Sequence, residues 1–357
     1  MKIQAVVQQK PGEQASIKNV ELSVPRADEV LVKIVASGIC HTDLYATENS
    51  SYYPIVLGHE GSGIIESVGN NVNHLQVGDH VVLSYTYFGT CTACLDGRTY
   101  ECDHIYQNFE GLRKDQTSPI NYNKQTVAAL IRQGSFTSHV VCHKNSVVKV
   151  EKDLDLRQLG PLGCGFMTGA GSVLNYLKPK SGDSIVVIGA GSVGLAAVMA
   201  AKIAGSHPII AIDQVAFKLE TAQSIGATHF INGMKSEDVA RVLFEISNGI
   251  DYIFDTTGNE QVLNEVRKVM KPGAIGCGVG GNRPHLTDTE INEGKTWGEV
   301  DEGAAIPQVF IPQLIQYARD GAFPFAQLIR YFPLEEIHTA MDLARQGKII
   351  KPVLIMP

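Results

Sequence analysis

Cysteine, histidine and carboxylate side chains recur in three short segments of this 357-residue chain. They read Cys-His-Thr-Asp from Cys40, Gly-His-Glu around His59 and Gly-Cys-Gly around Cys164. Two thiolates and one imidazole form a soft set of three ligands, which favours zinc and leaves a fourth position for water or substrate. An open site of this kind is typical of catalysis. Taken singly, however, each residue is more often a buried thiol or a core histidine.

A glycine pattern in the middle of the chain is typical of dinucleotide binding. Residues 189–194 read Gly-Ala-Gly-Ser-Val-Gly, directly after the apolar stretch 184–188 and at the start of the alanine-rich stretch 192–204. In this context the first glycine permits a tight turn, the second lets the backbone approach a pyrophosphate, and the third lets helix and strand pack closely. The cofactor-binding residues predicted here are Gly189, Gly191, Val193 and Gly194.

Asp213 indicates which dinucleotide binds. It ends the next predicted strand, about 20 residues after Gly194. A carboxylate at this point can accept hydrogen bonds from both ribose hydroxyls of NAD, and it would repel the 2′-phosphate of NADP. NAD is therefore the predicted cofactor. An aspartate that caps the following helix would look the same in sequence, and the two roles are compatible.

The elements that must position these residues change character along the chain. Before about residue 150, short Val- and Ile-rich stretches predict a mainly β region, with strands at 30–35, 63–68, 80–83, 140–141 and 147–150. From about residue 184, apolar stretches alternate with helical ones, which predicts a parallel sheet flanked by helices. Its strands are expected at 185–188, 209–212, 229–231, 252–254 and 274–277.

The tail contains a helix-like stretch at 309–319 and an apolar strand at 353–356, and we expect it to return to the first domain. The predicted division is therefore a catalytic domain over 1–165, a dinucleotide-binding domain over 166–301 and a return segment over 302–357. The polar stretch 103–133 has no clear period and predicts no element.

Composition and charge exclude several classes of function. Hydrophobic residues make up 44% and charged residues 19%, as in packed globular proteins. The net charge of −7 argues against nucleic acid and anionic membranes as partners. Seven cysteines, an odd number, in a chain without an apolar signal segment argue against a disulfide framework. We expect a cytoplasmic α/β enzyme.

Taken together, these motifs resemble the zinc-dependent medium-chain alcohol dehydrogenases over nearly the whole chain. Four strings are similar to the aryl and allylic alcohol branch, whose members act on benzyl-type or geraniol-type primary alcohols. They are Cys-His-Thr-Asp-Leu at 40–44, Leu-Gly-His-Glu-Gly-Ser-Gly at 57–63, Leu-Gly-Pro-Leu-Gly-Cys-Gly at 159–165 and Phe-Pro-Phe at 323–325. The resemblance implies a mainly β, GroES-like catalytic domain, a Rossmann-type doubly wound parallel sheet, and a homodimer or homotetramer paired through the edge of that sheet.

The resemblance also implies a metal centre. Cys40, His59 and Cys164 would bind the catalytic zinc, Asp43 would orient the His59 imidazole, and Glu60 would lie beside the site. Zinc would lower the pKa of a bound alcohol so that an alkoxide forms near neutral pH, and hydride would then pass to NAD. The implied substrate is a small alcohol, and the product is its aldehyde.

Further residues match family positions around the cofactor and the proton path. Thr42 matches the hydroxyl that carries the alcohol proton away, and the proton would then leave through the ribose, to water or to His41. His41 and Lys351 also match positions that contact the pyrophosphate. The nicotinamide would be held near Thr168 and the backbone of Val279.

The chain departs from the family pattern at two places. Many relatives continue the proton relay with a histidine three residues after the hydroxyl residue, where this chain has Tyr45. The family builds a second, structural zinc site from four cysteines, and this chain keeps three of them, Cys91, Cys94 and Cys102, with Phe88 at the fourth position. Since a phenyl ring offers no electron pair, we expect the second zinc to be absent or weakly held.

Three readings of function follow. The first is oxidation of bulky primary alcohols, a preference for which the aromatic residues Tyr85, Tyr87 and Phe88 would also argue unless they are ordinary core. The second is a short-chain or glutathione-adduct alcohol dehydrogenase of the same superfamily, which differs in pocket shape. The third is a nucleotide-binding protein that has lost catalysis. The open ligand set and Thr42 argue against the third.

Overall fold

A computed structural model of the chain describes residues 1–233, 238–281 and 284–357. These residues form two compact units. The first consists of Met1–Cys164, Ile306–Pro312 and Leu328–Pro357, and the second consists of Gly165–Ala305 and Gln313–Gln327. The sequence predicts that all of 302–357 returns to the first unit, whereas 302–305 and 313–327 belong to the second. Aromatic packing explains part of this difference, because the ring of Phe325 lies 5.6 Å from that of Phe166.

The first unit is mainly β, as the sequence predicts. Its strands before residue 151 are β1 (Lys2–Gln8), β2 (Ser16–Leu22), β3 (Glu29–Gly38), β4 (Ile55–Val56), β5 (Glu60–Val68), β6 (His80–Leu83), β7 (Ile120–Tyr122), β8 (Gln125–Ala129), β9 (His139–His143) and β10 (Val147–Val150). Short helices lie between them and after them: α1 (His41–Asn49), α2 (Thr92–Leu95), α3 (Gln107–Glu110) and α4 (Leu156–Leu159).

Alternating burial explains how these strands pack. In β3 the β-branched residues Val30, Val32 and Ile34 are buried, at every second position of the strand. Strands β1, β2, β7, β8 and β4 close into a barrel, and β10, β6, β5 and β3 lie in order in a second sheet, with β9 also paired to β3. The long pairing of β3 with β5 brings Gly38 opposite Glu60.

The second unit is a parallel sheet with helices. Its strands are β11 (Ile185–Ile188), β12 (Ile209–Asp213), β13 (His229–Asn232), β14 (Ile250–Asp255), β15 (Met270–Gly278) and β16 (Thr296–Glu299). Its helices are α5 (Gly165–Gly171), α6 (Ser192–Ala204), α7 (Ala216–Ile225), α8 (Val239–Ser247), α9 (Glu260–Arg267) and α10 (Asp288–Asn292). Every residue of β11 is buried, as expected for a strand covered on both faces.

The strand order in this sheet is β13-β12-β11-β14-β15-β16, with all pairs parallel. This is the Rossmann order. Strands β12 and β13 are added on one side of β11 and strands β14 to β16 on its other side, so the switch point lies between β11 and β14. Ligands of such sheets bind at the carboxyl ends of the strands beside this switch point. The predicted fold class is confirmed by this topology.

The tail contributes elements to both units. It forms α11 (Pro307–Arg319), β17 (Ile329–Pro333), α12 (Ile337–Arg345) and β18 (Lys351–Ile355). Strand β18 pairs antiparallel with β3 and parallel with β17, so it becomes part of the sheet that also holds β5. Within the described ranges, no helix has the length and apolar character needed to cross a bilayer.

Candidate metal centre and cofactor site

The predicted zinc ligands lie on three separate turns of the first unit. Cys40 directly precedes α1, His59 lies between β4 and β5, and Cys164 follows the 3₁₀ turn Gly160–Gly163. One ligand atom from each of them, together with a carboxylate oxygen of Glu60, lies within 4.8 Å of all the others. The fold therefore brings together the three residues implied as ligands and Glu60, which the resemblance implies lies beside them.

Asp43 connects two of these turns. Its buried carboxylate accepts a hydrogen bond from the backbone N–H of Cys40 through Oδ2 at 2.8 Å, and from that of Gly58 through Oδ1 at 2.9 Å. The same Oδ1 lies 3.1 Å from His59 Nδ1. Because an ionised carboxylate only accepts, Nδ1 carries the proton and Nε2 presents its lone pair.

The turn at Gly58 requires glycine. Its φ of +94° lies in the left-handed region. A Cβ atom there would also lie 2.5 Å from the backbone nitrogen of Phe136, which is far too close for non-bonded atoms. Glycine thus lets the chain turn tightly between Leu57 and His59 and keeps the Gly58 N–H directed at Asp43.

The cluster suits a thiophilic divalent cation. His59 is 2% exposed, and its Nε2 atom is buried with no hydrogen-bond partner in the described part of the chain. Buried polar atoms are nearly always paired, so a lone pair left beside two thiol groups indicates a metal ligand. A soft set of two sulfurs and one nitrogen favours Zn²⁺. Cys40, His59 and Cys164 are the residues that would hold it.

Charge in the cluster points the same way. A hydrogen bond with Cys164 holds the pKa of the Cys40 thiol well below its usual value despite burial, and His59 contributes to the same shift. Burial would lower the pKa of His59, but the Asp43 carboxylate raises it well above its usual range, so a metal ion at Nε2 would displace a proton there. A buried thiolate is therefore available as a ligand without a large cost of deprotonation.

Glu60 is held by an ion pair that the sequence did not reveal. Lys351 is 1% exposed, and its Nζ lies 2.9 Å from both carboxylate oxygens of Glu60 and 3.2 Å from the carbonyl oxygen of Ile39. Burial raises the pKa of Glu60 to about 7, although Lys351 opposes this shift. The sequence predicts a pyrophosphate contact for Lys351, whereas the structure shows its ammonium buried against Glu60.

The predicted proton carriers surround the metal cluster unequally. Thr42 is half-buried, and its hydroxyl oxygen lies 3.9 Å from Cys40 Sγ, next to the ligands. His41 and Tyr45 are exposed. Of these three residues, Thr42 therefore lies beside the ligands, whereas His41 and Tyr45 reach solvent.

The aromatic residues that suggested a bulky substrate have other partners. Tyr85 is core, with its hydroxyl 2.7 Å from that of Thr99. Tyr87 is half-buried and donates to Gln308 Oε1 at 3.2 Å. These contacts fit the interpretation of Tyr85 and Tyr87 as structural packing.

The glycine fingerprint has the geometry that the sequence predicts. Gly189 follows β11 with a φ of +93°, and a Cβ atom on Gly194 would collide with the carbonyl oxygen of Gly189. At Gly191, by contrast, no atom lies within 4 Å of where a Cβ would be. The first and third glycines therefore serve packing, and the second leaves open space at the N-terminus of α6, where Val193 begins the helix with Ser192.

Asp213 makes two backbone contacts at the carboxyl end of β12. Its Oδ2 accepts from the N–H of Ala190 at 2.7 Å and its Oδ1 from the N–H of Val215 at 2.9 Å. These contacts are not the helix cap considered from the sequence, because α7 has Val215 as its N-cap residue and no side-chain cap hydrogen bond. Asp213 also lines a cavity of about 260 Å³, together with Gly189 and Thr257. Such a cavity beside the switch point suits the adenosine half of a dinucleotide.

Asp255 is a residue of this region that the sequence analysis missed. It ends β14 and is buried, and its carboxylate accepts from Thr257 N and Oγ1, both at 2.8 Å, and from Gly258 N at 3.1 Å. Burial raises its pKa. The signal was available, because a carboxylate at the end of a buried parallel strand lies at the ligand-binding edge. Asp255 positions Thr257 in the cavity wall.

The two remaining predicted cofactor residues lie in the second unit. Thr168 is in α5, where its carbonyl oxygen accepts from Ser172 Oγ at 2.8 Å. Val279 follows β15, and its N–H donates to the carbonyl oxygen of Asp255 at 3.2 Å. Val279 therefore lies at the same edge of the sheet as the fingerprint.

The second cysteine cluster contains three sulfurs. Cys91, Cys94 and Cys102 lie with Sγ atoms within 4.8 Å of one another, and no fourth ligand joins them among the described residues. Cys91 Sγ is 3.9 Å from Cys102 Sγ, which accepts from the N–H of Phe88 at 3.5 Å. A hydrogen bond from the backbone of Asp103 contributes most to lowering the pKa of Cys91 to about 7.

Aromatic packing occupies the position of the missing cysteine. The ring of Phe88 lies 4.8 Å from that of His104 in an edge arrangement, and the guanidinium of Arg132 lies 5.4 Å from its centre. His104 Nδ1 lies 3.3 Å from Gln107 Nε2. Three thiols without a fourth donor do not fit the closed, four-coordinate site of structural zinc.

Comparison with known families and proteins matches this geometry. The family described as "Alcohol dehydrogenase GroES-like domain" matches residues 26–152, and the family described as "Zinc-binding dehydrogenase" matches residues 192–296. The geraniol dehydrogenase of Castellaniella defragrans is 35% identical over 99% of this chain and 97% of that protein. A probable S-(hydroxymethyl)glutathione dehydrogenase of Schizosaccharomyces pombe is 36% identical over 96% of this chain and 94% of that protein.

Solved structures show the same architecture. The crystal structure of benzyl alcohol dehydrogenase from Acinetobacter calcoaceticus superposes with a TM-score of 0.95 at 38% identity, and all of both chains is covered. The similarity thus extends over the whole chain, including the tail.

The contacts of Asp43 predict how strongly the metal is held. Asp43→Asn keeps the shape of the side chain but weakens its hold on His59 Nδ1, so zinc affinity should fall roughly 10- to 100-fold. Competition with a chelator measures this change. Asp79→Asn is the matched control, because Asp79 is also a buried aspartate of the first unit but pairs with Lys149 instead. Equal zinc retention in both variants would contradict the role given to Asp43.

The three-sulfur cluster predicts a metal content. Elemental analysis after dialysis should give nearer one zinc per chain than two, because incomplete coordination lowers affinity. Phe88→Cys should raise the count, whereas Cys102→Ser should leave the wild-type count unchanged. A second zinc that survives dialysis and is lost in Cys102→Ser would refute this expectation.

Proposed function

Because this chain belongs to the zinc-dependent medium-chain alcohol dehydrogenase family, we propose that it oxidises a primary aryl or allylic alcohol to the aldehyde, reversibly and with NAD. The family consists of oxidoreductases that use zinc and NAD(P). Two relatives support the substrate class, namely the geraniol dehydrogenase and the benzyl alcohol dehydrogenase. The chain is thus an enzyme, and its preferred alcohol is the proposed part.

One observation carries the catalytic proposal. His59 Nε2 is buried, lacks a hydrogen bond within the part of the chain that the structure describes, and lies in one cluster with the sulfurs of Cys40 and Cys164. A set of three protein ligands leaves a position for the substrate oxygen, unlike a closed structural site. We assign these three residues as the ligands of the catalytic metal.

Zinc bound there would supply Lewis acidity, which lowers the pKa of an alcohol hydroxyl. The chain's own residues supply orientation and a proton path. Asp43 fixes the tautomer of His59, and Lys351 holds the carboxylate of Glu60 beside the ligands. Thr42, whose hydroxyl is adjacent to Cys40 Sγ, would accept the alcohol proton and pass it outward. The exposed His41 is the proposed next carrier, because Tyr45 stands where relatives have a histidine.

The preference for NAD rests on Asp213. Its carboxylate lines the cavity at the end of β12, where the ribose of a dinucleotide would lie. The two backbone hydrogen bonds to Ala190 and Val215 hold the carboxylate in place and leave its remaining lone pairs for ribose hydroxyls. Gly191, Gly194 and Val193 would place the pyrophosphate at the start of α6.

A second candidate is oxidation of S-(hydroxymethyl)glutathione. It is favoured by the relative from Schizosaccharomyces pombe, whose identity of 36% is similar to that of the geraniol dehydrogenase. The two candidates share the metal and the cofactor and differ in the polarity of the group attached to the alcohol carbon. Substrate kinetics can therefore separate them.

A panel of alcohols tests the substrate class. Benzyl alcohol and geraniol should exceed ethanol in kcat/KM by roughly 100-fold, because about 100 Å² of additional apolar surface contributes about 2.5 kcal/mol. The readout is reduction of NAD. His59→Ala is the control, since it should abolish turnover while NADH binding persists.

Two results would contradict the aryl or allylic assignment. Ethanol equal to benzyl alcohol and geraniol would indicate a pocket without apolar selectivity. A much higher kcat/KM for the adduct of formaldehyde with glutathione would establish the second candidate instead.

Asp213→Gly tests the cofactor preference. Removing the carboxylate removes its repulsion of a 2′-phosphate, so the ratio of kcat/KM with NAD to that with NADP should fall about tenfold or more. Gln214→Gly is a matched control, because Gln214 lines the same cavity without a charge. An unchanged ratio in Asp213→Gly would argue against Asp213 as the ribose-binding residue.

A further inference from the structure

An open groove on the first unit carries an excess of positive charge. It has a volume of about 450 Å³, and the residues that line it include no member of either cysteine cluster. Four of its residues are cationic: Arg26, Arg113, Lys114 and Arg132. In a chain with a net charge of −7, a local group of this kind requires an explanation.

The carboxylates of the groove are each committed to another cation. Glu29 accepts two hydrogen bonds from Arg113, both at 2.6 Å, and the pair is buried. Asp115 pairs with Arg26 at 2.8 Å, and Asp28 pairs with Lys144 at 2.8 Å. Of the four lining cations, Arg113 and Arg26 are therefore already paired.

Lys114 and Arg132 remain without an ion pair or hydrogen bond to any residue that the structure describes. Lys114 is exposed, so water solvates its ammonium. Arg132 is half-buried, and burial lowers the pKa of its guanidinium. The Glu29 carboxylate opposes this shift, but it is bonded to Arg113, so a bound anion would still offset the cost of removing Arg132 from water.

The surroundings hold Arg132 in one arrangement. Its backbone has a φ of +55°, and its guanidinium lies over the ring of Phe88 at 5.4 Å. A ring that covers one face leaves the N–H groups in the guanidinium plane free to donate. Because the side chain is already ordered, an anion would lose little free energy in fixing it.

His143 supplies a neutral donor to the same groove. Its Nδ1 accepts from the N–H of Asn145 at 3.2 Å, so in the neutral ring Nε2 carries the proton. Burial, followed by the charge of Arg132, lowers the pKa of His143 to about 4, which keeps the ring neutral at physiological pH. A donor without charge adds hydrogen bonding and no repulsion.

We propose that this groove is a binding site for a small dianionic oxyanion of the phosphate type, held by Arg132 with Lys114 and His143. The two unpaired cations balance two negative charges. The guanidinium offers two parallel N–H groups, a geometry that matches phosphate oxygens. Free phosphate and a phosphate monoester share this chemistry.

Calorimetric titration of the full-length enzyme with inorganic phosphate tests the proposal, with chloride at equal ionic strength as the reference. Wild-type protein should show saturable binding, and Arg132→Gln should raise Kd about tenfold or more. Arg241→Gln removes an exposed arginine of the second unit and should leave Kd unchanged. Any phosphate bound at the dinucleotide fingerprint is common to these proteins and cancels in the comparison.

Two further arms complete the test. Lys114→Gln changes an exposed side chain that does not affect folding, and it should raise Kd several-fold. It decides the matter if Arg132→Gln fails to fold. Glycerol 3-phosphate binding as tightly as phosphate would identify a site for monoesters, and weaker binding would identify a site for the free ion. Equal Kd values in wild type, Arg132→Gln and Lys114→Gln, or no binding beyond that of chloride, would overturn the proposal.

Discussion

The metal cluster depends on the buried carboxylate of Asp43. Burying this charge would cost several kcal/mol without partners, and it is offset by two backbone N–H groups and the His59 imidazole. The same three contacts fix the position of Cys40 relative to His59, although they lie on different turns. The carboxylate therefore serves two purposes at once, because the bonds that satisfy its charge also set the spacing of the ligands. Removing this carboxylate would therefore disturb the ligand spacing together with the buried hydrogen bonds.

Beneath that cluster, a second buried ion pair explains why the tail must return to the first unit. Lys351 begins β18, and β18 pairs with β3, which in turn pairs with the strand that begins at Glu60. A Cβ atom on Gly38 would collide with the Glu60 carboxylate, so the sheet leaves room for this charge only through a glycine. Without Lys351, Glu60 would be an uncompensated buried acid beside two thiols. The pairing of β18 with β3 thus places a cation from the end of the chain against the carboxylate of Glu60.

Local patterns in the sequence predicted many of the strands and helices, whereas contacts between residues far apart in the sequence were not predicted. Helix α6 and strands β6, β10 and β11 begin and end where the sequence predicts, because apolar period and glycine placement are local properties. Cys40, His59 and Cys164 were found through resemblance, since spacing alone could not join three turns. The Lys351–Glu60 contact was not predicted, because an isolated lysine carries no sign of its partner. Strands β1 and β2 were missed although burial alternates along β2, and the stretch 103–133, where no period was visible, contains α3, β7 and β8.

The two cysteine clusters show what distinguishes a functional set of ligands from a partial one. Both bring sulfurs within 4.8 Å, so proximity does not separate them. In the first cluster, His59 Nε2 and the acidified thiol of Cys40 face the same point, where one metal ion could bind both. In the second, backbone N–H groups already satisfy Cys91 and Cys102, burial raises the pKa of Cys94 to about 12, and the place of a fourth donor is taken by Phe88 with Arg132. Among the described residues no fourth donor joins the second cluster, and Cys94 stays protonated at neutral pH, so both features oppose a metal ion there.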